Sequence, residues 1–231
     1  MSRGFGHIET WVFDLDNTLY PPSCRLFDQV DVRMGEFISR LLKVDRVEAK
    51  RVQKKFFHEY GTTLRGLMTE HDVNPDVFLD FVHDIDHSPV TSDEALGVAL
   101  ETLPGRKVIF TNGTVAHAHS VLKRIGITHH FDGIFDIVHA DYLPKPALAP
   151  YQKFIAAMGI DPMRAAMFED IARNLEVPDQ LGMTTVLVTS PDNDDGNLIN
   201  ELSGGIELAH VHHKTGDLAG FLAKIAKGAT A

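Results

Sequence analysis

Two carboxylates one residue apart, Asp14 and Asp16, close an apolar run that reads Thr10-Trp11-Val12-Phe13. The β-branched and aromatic residues of that run predict a buried strand. In an extended backbone successive side chains alternate faces, so Asp14, Asp16 and Thr18 are expected to point the same way. Two acids side by side at the end of a buried strand repel one another and lose solvation, and something must offset that cost. A divalent cation with oxygen ligands would do so. A solvated turn after a strand is the alternative that these residues alone leave open. An EF-hand calcium loop fits worse, because Leu19 sits where that loop needs its glycine.

Other groups capable of chemistry follow later apolar runs. Thr111, Asn112 and Gly113 come after Lys107–Phe110, offering a hydroxyl, an amide and a flexible backbone that lead into a helix N-terminus, a workable anion cradle. Glu169 and Asp170 come after Ala165–Phe168, with Asn174 one helical turn on. Lys145 lies between them in Leu143-Pro144-Lys145-Pro146, where the prolines limit the backbone. Each has an ordinary reading by itself: a turn, a solvated loop lysine, an acidic helix start. Together they put acids, hydroxyl, amide and cation at one edge of one sheet.

The elements that must position them change character along the chain. Residues 1–7 are small and polar and read as a loose tail. Pro21 and Pro22 break the chain after the acidic stretch. Phe27, Val30, Met34, Phe37, Ile38, Leu41 and Leu42 then recur at helical spacing. A second helix is predicted from Val47 to Tyr60 with Gly61 as its stop, a short third one around Leu64, Leu67 and Met68, and a fourth through Val77–Val82 entered by Asn74-Pro75. No strand pattern falls between Tyr20 and Ser88, so residues 20–88 read as an all-helical insertion within a core at 1–19 and 89–231.

From Pro89 the pattern alternates β and α. Strands are predicted at 107–111, 134–138, 165–168, 184–188 and, briefly, near 209–211, and helices at 94–103, 115–125, 150–158, 175–181 and 216–227. Ser190–Asn197, with its Asp192–Asp195 run, reads as a solvated polar loop. Near-continuous apolar strands separated by helices argue for an α/β fold with a Rossmann-like parallel sheet covered on both faces. In such sheets ligands bind beyond the carboxyl ends of the strands, where every group named above is expected.

Composition narrows the function classes. The chain has 231 residues, 44% hydrophobic and 23% charged, ordinary for a globular protein of one domain plus an insertion. A formal net charge of -10 argues against binding a nucleic-acid polymer or an anionic membrane through a general basic surface. The single Cys24 cannot form an intramolecular disulfide, and Met1–Ile8 lacks a signal-like apolar run, so a cytoplasmic protein is expected, monomer or homodimer.

Asp14-Leu15-Asp16-Asn17-Thr18-Leu19, Thr111-Asn112-Gly113, Lys145-Pro146 and Glu169-Asp170 resemble, in order, the four motifs of the haloacid dehalogenase superfamily. The resemblance covers nearly the whole core and implies a Rossmann-like fold with a cap, the helical insertion at 20–88 being similar to a cap of the first type. Tyr60-Gly61-Thr62-Thr63-Leu64-Arg65-Gly66-Leu67 and Asp141–Pro146 are similar to the pyrimidine 5'-nucleotidase branch.

The resemblance implies a mechanism that suits the residue chemistry. Asp14 would attack phosphorus and form an aspartyl-phosphate. Asp16 would protonate the leaving alkoxide and then deprotonate water. Mg²⁺ would be held by Asp14, the carbonyl of Asp16 and Asp170, with Glu169 nearby through water. Thr111, Asn112 and Lys145 would bind phosphoryl oxygens, Gly113 would complete their cradle, Thr18 would steady the acidic loop, and Asn174 would support the metal or Lys145. Tyr60, Thr62, Thr63 and Arg65 are the substrate-reading candidates, with Arg65 either contacting substrate or pairing within the insertion.

The expected reaction is hydrolysis of a small phosphate ester, foremost a pyrimidine nucleoside 5'-monophosphate such as UMP or CMP. The alternatives are a phosphatase or phosphomutase for another ester, such as a sugar phosphate or phosphoglycolate, and a non-catalytic phosphate-ligand binding protein. Three departures from the family pattern stand out: Asn17 for glycine, Ile171 for a small polar residue, and Ala147 for a polar one. His129-His130 and His212-His213 lack acidic or cysteine partners at metal-site spacing and read as surface or loop histidines. Cys24 reads as an inert, partly buried thiol.

Overall fold

The computed structural model describes residues 3–191 and 208–228. Six parallel strands form one sheet: β1 Thr10–Phe13, β2 Arg106–Phe110, β3 Gly133–Phe135, β4 Ala165–Glu169, β5 Thr184–Val188 and β6 His213–Thr215. Their spatial order is β3-β2-β1-β4-β5-β6, and every neighbouring pair is parallel. Side-chain alternation on β1 sends Trp11 and Phe13 into one buried cluster and Val12 into the other, so both faces are covered. Helices α5 Glu94–Thr102, α6 Val115–Ile125 and α9 Leu218–Ala226 supply apolar residues to the first cluster, and α7 Leu148–Met158 and α8 Glu176–Leu181 to the second.

The strand order turns back at β1. From β1 the chain moves outward through β2 and β3, then returns to lay β4 on the other side of β1. The carboxyl end of β1 is therefore the crevice where a ligand enters such a sheet.

Between β1 and β2 run α1 Leu26–Leu42, α2 Arg46–Tyr60, α3 Thr63–His71 and α4 Pro75–His83. The last three start on side-chain caps: Asp45 accepts from the Glu48 amide, Thr62 from the Arg65 amide, and Asn74, just ahead of Pro75, from the Asp76 amide. Gly61 ends α2 at φ +84°, a conformation that glycine reaches without a Cβ penalty. These four helices bury a further cluster around Phe56, Leu67 and Phe78, which Ile137 of the core joins. Among the described residues no helix is long and apolar enough to cross a membrane.

Three expectations need correction. The strand predicted at 134–138 stops at Phe135, because the Asp136 carboxylate takes the amides of Val138 and His139 that a ladder would need. The last strand forms at His213–Thr215, not near 209–211. There, Thr185 hydroxyl bonds the His210 carbonyl and His212 Nδ1 accepts from the Thr185 amide, replacing ladder bonds. The N-terminal stretch is tied down from Arg3 onward: Arg3 donates to the Met183 carbonyl, and Phe5 packs edge-on to Phe221. The Asp192–Asp195 loop lies outside the described residues.

Candidate active site

β1 ends at Phe13, and the acids follow it in a turn rather than along a strand. The Asp14 amide still bonds the Phe168 carbonyl, 2.9 Å, which fixes that residue to the sheet edge. Asn17 then takes φ +60°, a left-handed angle that asparagine tolerates and that explains its presence where glycine is usual. The turn sets pairings four residues apart. Thr18 hydroxyl lies 3.4 Å from Asp14 Oδ2, and Tyr20 hydroxyl donates to Asp16 Oδ1 at 2.6 Å. The shared direction of Asp14 and Thr18 therefore comes from a tight turn and not from strand alternation.

Lys145 is the hub of the buried charges, itself only 2% exposed. Its ammonium donates to Asp14 Oδ1 at 2.7 Å, to Glu169 Oε1 at 2.8 Å and to the Phe110 carbonyl at 3.0 Å. Three donors meet three acceptors, so the cation is fully satisfied. Burial by itself would lower the lysine pKa, but Asp14 and Glu169 outweigh it and hold the group above its ordinary range. Burial pushes the Asp14 carboxyl up to about 7, against the opposing pull of Lys145. The Asn174 side-chain amide donates to the same Glu169 Oε1 at 2.7 Å, and the Ile171 amide donates to Oε2 at 2.7 Å. Tyr151 in turn bonds the Asn174 carbonyl at 2.6 Å. Ile171 thus contributes its backbone, which accommodates an apolar side chain at that position.

The hydroxyl-amide-glycine segment after β2 is drawn into the same edge. Thr111 hydroxyl accepts from the Gly113 amide at 2.9 Å, and Asn112 Oδ1 accepts from the Lys145 amide at 3.0 Å. A Cβ at Gly113 would come within 3.3 Å of His117 and Thr111 and 3.6 Å of Asp16 Oδ2, so the glycine leaves space for the second acid.

One group at the site was not anticipated. His117, in the first turns of α6, places Nε2 2.8 Å from Asp16 Oδ1. Burial would raise the Asp16 pKa, but the charge and hydrogen bond of His117 outweigh it and bring it to about 2. In sequence His117 falls on the apolar stripe with Val121 and Leu122, where a histidine is as well explained by packing as by function.

The substrate-reading candidates are placed differently from the acids. Tyr60 donates to Glu70, Thr63 hydroxyl reaches the Gln53 carbonyl at 3.4 Å, and Thr62 caps α3. These groups are engaged inside the helical segment. The Arg65 guanidinium is half-buried and, among the described residues, has no hydrogen-bond or ion-pair partner. The segment itself does reach the site: a Cβ at Gly61 would lie 3.3 Å from Pro144 and 3.9 Å from the Lys145 carbonyl oxygen. Elsewhere, the fold supplies the acid that the spacing around His129-His130 lacks, since His130 Nδ1 lies 3.3 Å from Glu101. His212 likewise lies 3.2 Å from Asp179, and His213 faces the Arg3 carbonyl.

Asp14, Glu169 and Asp170 bring one carboxylate oxygen each within 4.8 Å of one another, all three residues buried. Buried oxygen donors of that charge suit a hard divalent cation such as Mg²⁺.

A sequence model of the haloacid dehalogenase-like hydrolases matches residues 8–182, and the chain belongs to that family. Phosphate metabolism protein 8 of Saccharomyces cerevisiae is 27% identical in an alignment 197 positions long that covers 78% of this chain and 61% of that relative's length. The HAD-hydrolase YfnB from Bacillus subtilis, solved bound to magnesium, superposes with a TM-score of 0.60 at 13% identity, covering 95% of this chain and 99% of that one. A HAD phosphatase from Thermococcus onnurineus gives 0.58 at 16% identity, covering 95% and 97%. At these identities the two structures speak for the fold.

Proposed function

We propose that this hydrolase is a magnesium-dependent phosphomonoesterase that transfers the phosphoryl group of a small ester to Asp14 and then to water. The observation that carries the reading is the second acid. A carboxylate placed to relay a proton to the leaving alkoxide stands two residues from the nucleophile, its Oδ1 held at 2.6 Å by Tyr20 and 2.8 Å by His117.

Asp14 is the nucleophile, and its Oδ1 contact with Lys145 orients it toward the strand edge. The groups of Thr111 and Asn112 receive the phosphoryl oxygens as charge moves onto them, and the buried Lys145 cation beside Asp14 lends its positive charge. Glu169, with its oxygens taken by Lys145, Asn174 and the Ile171 amide, keeps the lysine in place. Asp14, the Asp16 carbonyl and Asp170 would hold the magnesium ion, with Glu169 beside it. When bound, that ion supplies charge neutralisation between the nucleophile and the incoming phosphate. Asp16, ionised in the free site, takes up a proton as the anionic ester binds beside it, gives that proton to the leaving oxygen in the first step and takes one from water in the second.

Within this reading the substrate is a pyrimidine nucleoside 5'-monophosphate, UMP or CMP, read by Arg65 from the helical segment. Support comes from the unpartnered guanidinium and from the similarity of residues 60–67 to that branch. The internal engagement of Tyr60 and Thr63 favours, as a second reading, a phosphatase for another small phosphate ester whose polar group meets Arg65. Phosphate release measured across UMP, CMP, purine nucleotides, sugar phosphates and p-nitrophenyl phosphate tests both. Turnover that needs Mg²⁺, stops on chelation and is fastest with UMP or CMP is expected. Undiminished turnover in excess chelator would overturn the magnesium dependence, and no turnover with any ester would overturn the phosphatase reading.

A further inference from the structure

His117 binds the acid of the site yet has no task in the reaction just described. Its ring is buried, and both of its nitrogens are engaged. Nε2 meets Asp16 Oδ1 at 2.8 Å, and Nδ1 meets His87 Nε2 at 3.2 Å. A third imidazole, His83, stacks on it with ring centroids 4.6 Å apart and planes 21° from parallel. His83 is the last residue of α4, and His87 lies in the connection that returns the chain to the core. Two residues at the exit of the helical segment therefore grip the imidazole that grips Asp16.

The hydrogen-bond directions close consistently. A carboxylate can only accept, so His117 Nε2 carries the proton toward Asp16, and its Nδ1 shares a second hydrogen bond with His87 Nε2. Asp16 Oδ1 is then taken by both His117 and Tyr20. Its Oδ2 has no hydrogen-bond partner among the described residues and lies on the side where Gly113 keeps space open. An aspartate held by one oxygen presents the other in a defined direction, which proton transfer in a transition state demands.

We propose that His117 is a positioning residue for Asp16, and that His87 and His83 make that position depend on how the helical segment is seated. This rests on Asp16 acting as the acid–base group of the proposed phosphatase. In that arrangement the acid is aimed when the exit connection is in place. When the connection moves, the ring loses its second bond and its stacking partner, and Asp16 loses its orientation.

The test uses His117→Leu, which removes the donor, and His117→Gln, whose side-chain amide can replace Nε2–H. Single-turnover phosphorylation is followed with p-nitrophenyl phosphate and with the alkyl phosphate that the wild type turns over fastest. A poor alkoxide leaving group needs the proton, whereas p-nitrophenolate departs as a stable anion. His117→Leu should slow the alkyl ester about 10²-fold, the scale of a general acid's contribution, and p-nitrophenyl phosphate less than about 10-fold. His117→Gln should recover most of the loss, and His87→Leu should slow the alkyl ester by a smaller factor. Equal losses on both esters, or glutamine no better than leucine, would overturn the proposal.

A measurement without turnover separates this inference from the phosphatase reading. The His117 ring N–H should give a slowly exchanging proton resonance that is lost in Asp16→Ala and displaced in His87→Leu. If the wild type cleaves no ester but the resonance behaves so, the phosphatase reading fails while the histidine–aspartate chain stands. A resonance indifferent to both substitutions would sink the chain itself.

Discussion

Lys145 reaches Asp14 across 131 positions of sequence and Glu169 across 24, and His117 reaches Asp16 across 101. Around the substrate-reading candidates of the helical segment the polar pairs are local: Tyr60 with Glu70, Thr63 with Gln53, Thr62 with the Arg65 amide, none of these three more than 10 positions apart. The first arrangement exists only when β1, β2 and β4 are paired, because each strand end brings one part of it. The second forms within two neighbouring helices. The segment then touches the core through a few contacts, among them Tyr142 hydroxyl on Asp76 at 2.7 Å and the Arg173 guanidinium 5.7 Å from the Phe57 ring centre. A change at the strand edge should therefore damage chemistry and stability together. A change on the segment's inner surface should alter what is bound while leaving the chemistry standing.

The largest effect is expected from Asp14→Asn. The amide cannot serve as the attacking group, so single-turnover phosphate release should vanish while circular dichroism stays native. Substantial turnover by a folded variant would remove Asp14 from its assigned place.

Lys145→Met comes next and tests the joint character of the centre. It leaves Asp14 and Glu169 buried without their shared cation, a loss on the order of 3–5 kcal/mol in stability for breaking such a pair. Urea unfolding in the absence of magnesium should show it, together with loss of phosphate turnover. A variant as stable as the wild type would mean that the two carboxyls share a proton when the lysine is gone.

Arg65→Ala probes the other region. It should lower kcat/KM for UMP by about 1–3 kcal/mol of transition-state binding, the scale of a charged hydrogen bond. Hydrolysis of p-nitrophenyl phosphate, which offers no base, should change much less. Equal losses on both substrates would instead give Arg65 a part in phosphate binding or in the segment's own structure.

The smallest effect concerns pH and the junction of the two regions. Burial, with His117 adding to it, brings the His83 pKa down to about 4 from 6.5. Between those values the unfolded chain binds the extra proton and the folded one does not, so this group costs nothing above about pH 6.5 and destabilises increasingly as pH falls toward 4. His83→Leu should therefore show a smaller drop in urea midpoint between pH 7 and pH 4.5 than the wild type. Parallel drops in the two proteins would show that His83 is not the source.

Sequence by itself determined the parallel α/β core, the helical segment between its first two strands, which acids and amides end the strands, and the proline-flanked lysine between them. Those features are written in local terms: apolar runs of strand length, helical periodicity stopped by Gly61, Gly126 and Gly159, and polar residues placed where an apolar run ends. Asn17 belongs with them, since its side chain makes a left-handed angle affordable whatever surrounds it. Only the tertiary structure decided the partners. Periodicity reports which face of an element is buried and is silent on what that face meets. His117 thus looked like any stripe residue of its helix until the packing of α6 set it against Asp16. The same limit applies to Thr63, whose hydroxyl direction depends on where α2 lies, and to β6, displaced because Thr185 and His212 bond through side chains that no propensity registers.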